Sequence, residues 1–508
     1  VADDGLINVT SDGGKKWSTV DTFRGVPDMS LIEDIIASFH DTDVAYAVID
    51  NHKRGDYKPY VLKTENRGRN WTLISNNLPE RGTAHTIIED HVDPKLLFVG
   101  TEFGLFFSNN GGESWNEMTS LPTIAVRDLE IQRREGDLVI GTFGRGIYIL
   151  DDYSPLRTSS KTLEAEATLF GVRDTWLFVP DARRGWGGKG DWGVGRYTAD
   201  NPPYGAVFAY YLSKDLQSQK EQRRDAEKER AKQGGDNPYP SWEQLREEDR
   251  EEAPSVTMTV RDAAGNVVQR IDAPAGKGFH RVAWNMRYPA PDPVNLKPDN
   301  NFAPWASPPQ GPMAVPGNYS VSLSKRVEGK LVEIAGAQSF ALKPLFSGGL
   351  VTDDRQALLD FEMQSNDLYR AVMGANRARS EVQDRIDHLL KAVVDTPASS
   401  EAQATALRAL KARMHDLQVS FSGDRTIASR AEPVPMSISS RIGNIVGGHW
   451  DSQSAVSENY RASYAIAEAQ FKEALVELKA IAADLANIEA ELQAAGAPWT
   501  PGRIPHWP

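Results

Sequence analysis

Not one of the 508 residues is a cysteine, which excludes disulfides, cysteine nucleophiles and thiolate metal sites. Positive charge is also scarce. Lys and Arg number 57 against 70 Asp and Glu, a formal net charge of −13. That balance argues against a nucleic-acid partner, because phosphate binding calls for a basic face. No stretch of 18 apolar residues occurs, so no transmembrane helix is expected. The nine histidines include no H-x-x-x-H pair, and neither a Gly-rich phosphate loop nor a G-x-S-x-G elbow is present. No metal and no cofactor is therefore expected. What the chain does have is 12 Trp and a hydrophobic content of 40%, enough for ordinary cores in several domains.

An eight-residue pattern, [ST]-x-[DN]-x-G-x-x-W, occurs three times in the first quarter. Its fixed positions are Thr10, Asp12, Gly14 and Trp17, then Thr64, Asn66, Gly68 and Trp71, then Ser108, Asn110, Gly112 and Trp115. The tryptophans are 54 and 44 residues apart, the spacing of a whole repeating sheet rather than of one hairpin. Each copy lies between short apolar strands. Asp or Asn can hydrogen-bond backbone two residues on, Gly supplies a positive-φ position, and Trp covers the turn. These side chains are expected to be used up on local backbone, so the pattern is read as a stabilising turn rather than a ligand site.

Further strand signals at 32–39, 44–49, 86–88, 96–99, 126–131, 138–140 and 146–150 divide residues 1–152 into half a blade, two full blades and an incomplete one. This resembles the Asp-box (BNR) repeat of sialidases, xyloglucanases and sortilin-type propellers, with Asn66 and Asn110 departing mildly from the usual Asp. The segment from Gly141 to Asp152 is similar to the end of the propeller in large exported bacterial proteins of that kind, often labelled glycosyl hydrolases. The resemblance implies a longer propeller region ahead, so that this sequence would be the C-terminal half of a protein about twice as long. It starts inside a blade and without an initiating Met, in agreement. Propellers need about four to eight blades, so the N-terminal half, in the same protein or as a cleaved second chain, is expected as a partner. Absence of cysteine in a Trp-rich chain fits a bacterial periplasmic or extracellular protein.

From residue 153 to 346 alternating strands, broken by turns at 262–266 and 315–318, predict an antiparallel sandwich. The G-x-H-R-V-x-W-N and P-G-N-Y-S-V stretches resemble an immunoglobulin- or fibronectin-like module. An insertion at 214–252 holds 21 charged residues of 39, which predicts a solvated helical hairpin or a loop, with a helix ending at Gly234-Gly235. Residues 350–495 change to helical periodicity and predict a three-helix antiparallel bundle, with 433–450 as a Gly-containing loop. The Trp- and Pro-rich tail, 496–508, is expected to dock along another domain.

No spacing identifies a catalytic constellation. Arg127, Arg145 and Tyr148 on the last strands, and Trp186 and Trp192 in a Gly-rich stretch, are candidate channel or glycan contacts. Two functions from different classes fit. One is a non-catalytic ligand-binding or assembly propeller, sortilin-like, for a peptide or protein. The other is a glycoside hydrolase of BNR-repeat type acting on a polysaccharide or glycan. Oligomerisation is compatible with either.

Overall fold

In a computed structural model, residues 4–159, 161–180, 199, 201–296, 308–346 and 350–504 are described. The first 150 residues form successive antiparallel meanders. A hairpin of β1 (Ile7–Val9) and β2 (Ser18–Val20) precedes a four-stranded sheet of β3 (Leu31–Ala37), β4 (Ala45–Asn51), β5 (Asp56–Thr64) and β6 (Thr72–Leu73). A second four-stranded sheet follows, with β7 (Ala84–Glu89), β8 (Leu97–Thr101), β9 (Gly104–Ser108) and β10 (Asn116–Glu117). The last has three strands, β11 (Val126–Gln132), β12 (Asp137–Thr142) and β13 (Ile147–Leu150).

Alternation along the strands explains why the sheets stack. On β4, Tyr46 and Val48 enter a core shared with β7 and β8, while Ala47 and Ile49 enter one shared with Ile7 and Phe23. On β8, Leu97 and Val99 face the first four-stranded sheet, and Phe98, with Leu96 just before the strand, faces the three-stranded one. Successive side chains point to opposite faces, so a strand apolar at every position must be covered on both sides. Every residue of β7 and β8 is buried, including the polar His85, Thr86, Glu89 and Thr101.

The three Trp turns have one construction. The first residue's hydroxyl accepts the glycine N–H, at 2.9 Å from Gly14 to Thr10, 3.0 Å from Gly68 to Thr64 and 2.9 Å from Gly112 to Ser108. The Asp or Asn oxygen accepts from the backbone three or four residues on, from Lys15 and Lys16 to Asp12, from Asn70 to Asn66 and from Ser114 to Asn110. Trp71 and Trp115 are then packed onto the preceding sheet, Trp71 against Phe23 and Trp115 with its indole N–H donating to the Ile74 carbonyl at 2.8 Å. Trp17 breaks the pattern that the shared motif predicts. It is 61% exposed, against 8% and 4% for the other two, because among the described residues no sheet lies on its side of β1 and β2.

Beyond β13, two sheets face each other across a common core containing Phe208, Tyr210, Trp284, Val321 and Phe340. One sheet is β14 (Ala167–Leu169), β16 (Ala206–Leu212) and β19 (Gly278–Trp284). The other runs β15 (Thr175–Leu177), β21 (Lys330–Pro344), β20 (Gly317–Val327), β17 (Ser255–Asp262) and β18 (Val267–Ala273). The arrangement departs from the all-antiparallel expectation at one point, where β15 pairs parallel to β21. Between β16 and β17 the charged insertion folds as α1 (Gln219–Lys232) and α2 (Trp242–Arg250), joined around Gly234.

The C-terminal part is helical: α3 (Arg355–Val394), α4 (Glu401–Ser422), the short α5 (Arg425–Ala428), α6 (Ile438–His449) and α7 (Glu458–Ala494). The helix α6 corrects the three-helix expectation. Ile438, Ile442 and Ile445, spaced four and three apart, are buried in the bundle core where a loop was predicted. One of its three glycines serves packing: a Cβ on Gly448 would meet the Tyr460 hydroxyl at 2.6 Å, while Gly443 and Gly447 have no such neighbour. The tail, as far as residue 504, turns back on the helices rather than reaching another domain, with the Trp499 indole donating to the Arg503 carbonyl and Arg503 bonding to Gln493 on α7. Among the described residues no helix is long and apolar enough to cross a membrane.

Candidate functional site

The β4–β5 turn, the loop leading into β7, the β8–β9 turn and the start of β11 come together at one end of the three larger stacked sheets. Between them lies a cleft of about 540 Å³. The 3-10 turn after β4 contributes His52, and Tyr57 comes from the start of β5. Arg81, Gly82 and Thr83 line it from the link into β7, His85 from β7 itself, Glu102 and Phe103 from the β8–β9 turn, and Arg127 from β11. Gly82 is required there: its φ is +131°, and a Cβ would come within 3.2 Å of the Phe103 ring.

Hydrogen-bond chemistry orders the polar groups. Arg127 donates to His85 Nδ1 at 3.1 Å. A guanidinium has no acceptor, so Nδ1 must accept and the proton sits on Nε2, which donates to Glu102 at 2.8 Å. Arg127 also reaches Glu102 at 3.3 Å and stacks on Phe143 at 5.7 Å. On the opposite side, His52 Nδ1 pairs with the buried carboxylate of Asp50, leaving Nε2 as its free ring nitrogen. Two donors are left over. The Thr83 hydroxyl is buried and has no hydrogen-bond partner among the described residues, a costly state for a polar atom. Arg81 is exposed and forms no ion pair among the described residues. Tyr57 and Phe103, each about half exposed, supply aromatic walls. Among the described residues the one carboxylate in the lining, Glu102, is already engaged by His85 and Arg127.

Of the sequence candidates, Arg127 belongs to this cleft. Arg145 is exposed on the β12–β13 turn. Tyr148 is half-buried, packed on the apolar cluster between the last two sheets. Trp186 and Trp192 lie outside the described residues. The twelve turn positions are spent on local hydrogen bonds and sheet packing, away from the cleft lining. Sequence reasoning missed His52, Tyr57, Arg81, Thr83, His85, Glu102 and Phe103. One signal was available: Phe103 immediately precedes the glycine of a tight turn.

No protein-family model and no curated protein matches the chain. Among solved structures it is similar to a GH74 enzyme from Niastella koreensis, at 20% identity and a TM-score of 0.21 over 24% of this chain and 21% of that one. It is similar to YCF48 bound to D1 peptide at 15% identity and a TM-score of 0.24, over 30% and 47%. A GH74 xyloglucanase from Xanthomonas campestris gives 14% identity and a TM-score of 0.21, over 59% and 38%. The chain thus spans from about a fifth to about a half of the length of these proteins.

Proposed function

We propose that the protein is an exported Asp-box β-propeller protein that binds a peptide or protein ligand in the cleft between its stacked sheets. In this reading residues 1–152 are propeller blades, 153–346 an immunoglobulin- or fibronectin-like sandwich carrying the 214–252 insertion, 350–495 a helical bundle and 496–508 a tail. The strand order within each meander and the repeated seating of Trp71 and Trp115 on the preceding sheet support the propeller. Trp17 at one end of the arc and the exposed Ile147 and Ile149 at the other are faces on which further blades would stack. Those blades, whether in the same polypeptide or a second chain, are the proposed partner.

The observation that carries the binding reading is the stock of unused donors. Among the described residues Thr83 and Arg81 have no partner, while Glu102 in the lining is occupied. A chain segment offering carbonyl or carboxylate oxygens and an apolar side chain would satisfy the donors and cover Tyr57 and Phe103. Glycoside hydrolysis, the second reading, needs two free carboxylates, about 6.5–9.5 Å apart for inversion. The lining offers one, and it is held by two cationic or polar neighbours. A peptide array probed with the purified chain tests the proposal. Captured peptides should lose at least tenfold in affinity in Arg81→Ala and in Thr83→Val, with the thermal transition of both variants unchanged. Release of reducing ends from a polysaccharide, abolished by Glu102→Gln, would establish the hydrolase instead.

A further inference from the structure

Where the two facing sheets meet the helices, one acidic side chain is enclosed without a partner. Glu362, on the second turn of α3, is 2% exposed, and its carboxyl makes no hydrogen bond among the described residues. It lines a cavity of about 20 Å³ together with Met313, Ala314 and Pro316 from the sheet side and Ser452 and Gln453 from the segment after α6. That volume suffices for about one water molecule, too little to solvate a carboxylate. The charged groups around it come from each packed element. Arg287, after β19, is buried but committed elsewhere, donating to Asp451 at 2.5 Å and to the carbonyls of Gly311 and Trp450 at 3.2 and 3.3 Å. Asp451 follows α6. Arg355, on α3, also lines the cavity but bonds to Gln453 and the Phe346 carbonyl. One turn away, His449 of α6 packs against Phe361 and Tyr460, and Arg461 lies over the Phe361 ring.

We propose that Glu362 is a proton-operated latch: as a carboxylic acid it lets the helices seat on the sheets, and as a carboxylate it weakens that junction. Burial is the main cause. The charge of Arg287 opposes it, the smaller effect of the Asp451 charge adds to it, and the carboxyl is pushed up to about 8. An open junction would return it to the ordinary carboxyl range, near 4.3. A group raised in the closed state favours closure fully below its open-state value. That contribution is lost as pH rises through the closed-state value. Between the two, the opening equilibrium gains roughly tenfold per pH unit, because opening releases one proton. Above about 8 it levels off.

The absence of native cysteine makes a direct test possible in the full chain. Ala314→Cys places a thiol in the cavity wall, and its labelling rate is compared with and without Glu362→Gln from pH 6 to 9. The ratio of the two rates cancels the thiol's own ionisation. It should climb about tenfold per unit from pH 6 to 8 and then flatten. Hydrogen exchange of the first two turns of α3, read as the same ratio, serves if Ala314→Cys does not fold. A ratio independent of pH overturns the proposal. So does an equal climb at Ala404→Cys, buried inside the helical core, since that would mean the helices unfold rather than undock.

Discussion

At the scale of the residue, the three tryptophans of one motif have two different energetic roles. Trp71 and Trp115 are buried between sheets, and Trp17 is mostly in solvent. Truncating Trp71 to Ala should cost about 3–5 kcal/mol, whereas Trp17→Ala should stay within about 0.5 kcal/mol. Chemical denaturation of the two variants checks this. Asp90 makes a second residue-scale case. It is fully buried and accepts from Arg157 at 2.7 and 2.9 Å, from the Tyr153 hydroxyl at 2.6 Å and from the Asp93 amide at 2.8 Å. Burial alone would raise its carboxyl, but these bonds outweigh it and hold the group below the usual carboxylate range. Its stabilisation is therefore present above the ordinary value and is lost as pH falls through the lowered one. Arg157→Ala leaves the charge unpaired and should cost about 3–5 kcal/mol at neutral pH, with the difference from wild type shrinking in acid. Denaturant titrations at pH 7 and below 4 would show it.

At the scale of the element, legibility followed periodicity. The long helices α3, α4 and α7 and the strand β12 were readable from burial that repeats every 3.6 or every two residues, whereas β4 and β8, buried at nearly every position, were readable as short continuous apolar runs. The strand β18 was missed, since Gln269, Arg270 and Asp272 interrupt its apolar face. The helix α6 was missed because Gly443, Gly447 and Gly448 read as loop. Only the structure shows that a glycine there admits the Tyr460 hydroxyl. The cleft was mostly illegible for a different reason. Its lining comes from turns of three sheets, and no local spacing encodes how turns converge. The charged insertion was legible from composition, though not its anchoring. Leu216 packs on the sheet core and Lys277 N–H bonds to Asp215 at 2.7 Å. The pair Arg223–Glu248, at 2.6 Å, stays within the hairpin. Replacing 219–250 by a Gly/Ser link should therefore shift the melting temperature by no more than about 3 °C, whereas a deletion that also removes 214–216 should lower it further. Calorimetry of the two deletions separates these outcomes.

At the scale of the whole molecule, the arc of sheets ends on a face that carries no protection. On β13, Ile147 and Ile149 are 71% and 60% exposed, and Phe143 in the preceding turn is 71% exposed. Among the described residues the strand pairs only with β12, so its outer edge presents unpaired backbone groups beside three apolar side chains. Edges of that kind are ordinarily blunted by charge, proline or a covering element, and β13 has none of these among its four residues. The other three sheet-to-sheet junctions of the arc are buried by neighbours of the same construction, and the proposed further blades would bury this one. Two consequences differ in sign. In the 508-residue chain alone, Ile147→Lys with Ile149→Lys should reduce self-association while leaving the melting temperature within about 2 °C, because neither side chain contributes to a core. Where the proposed further blades are supplied, the same double substitution should abolish their association, because it buries two unpaired ammonium groups. Light scattering of the chain alone and co-purification with the added blades measure the two effects. A double variant that still assembles with them would place the contact on another face of the arc.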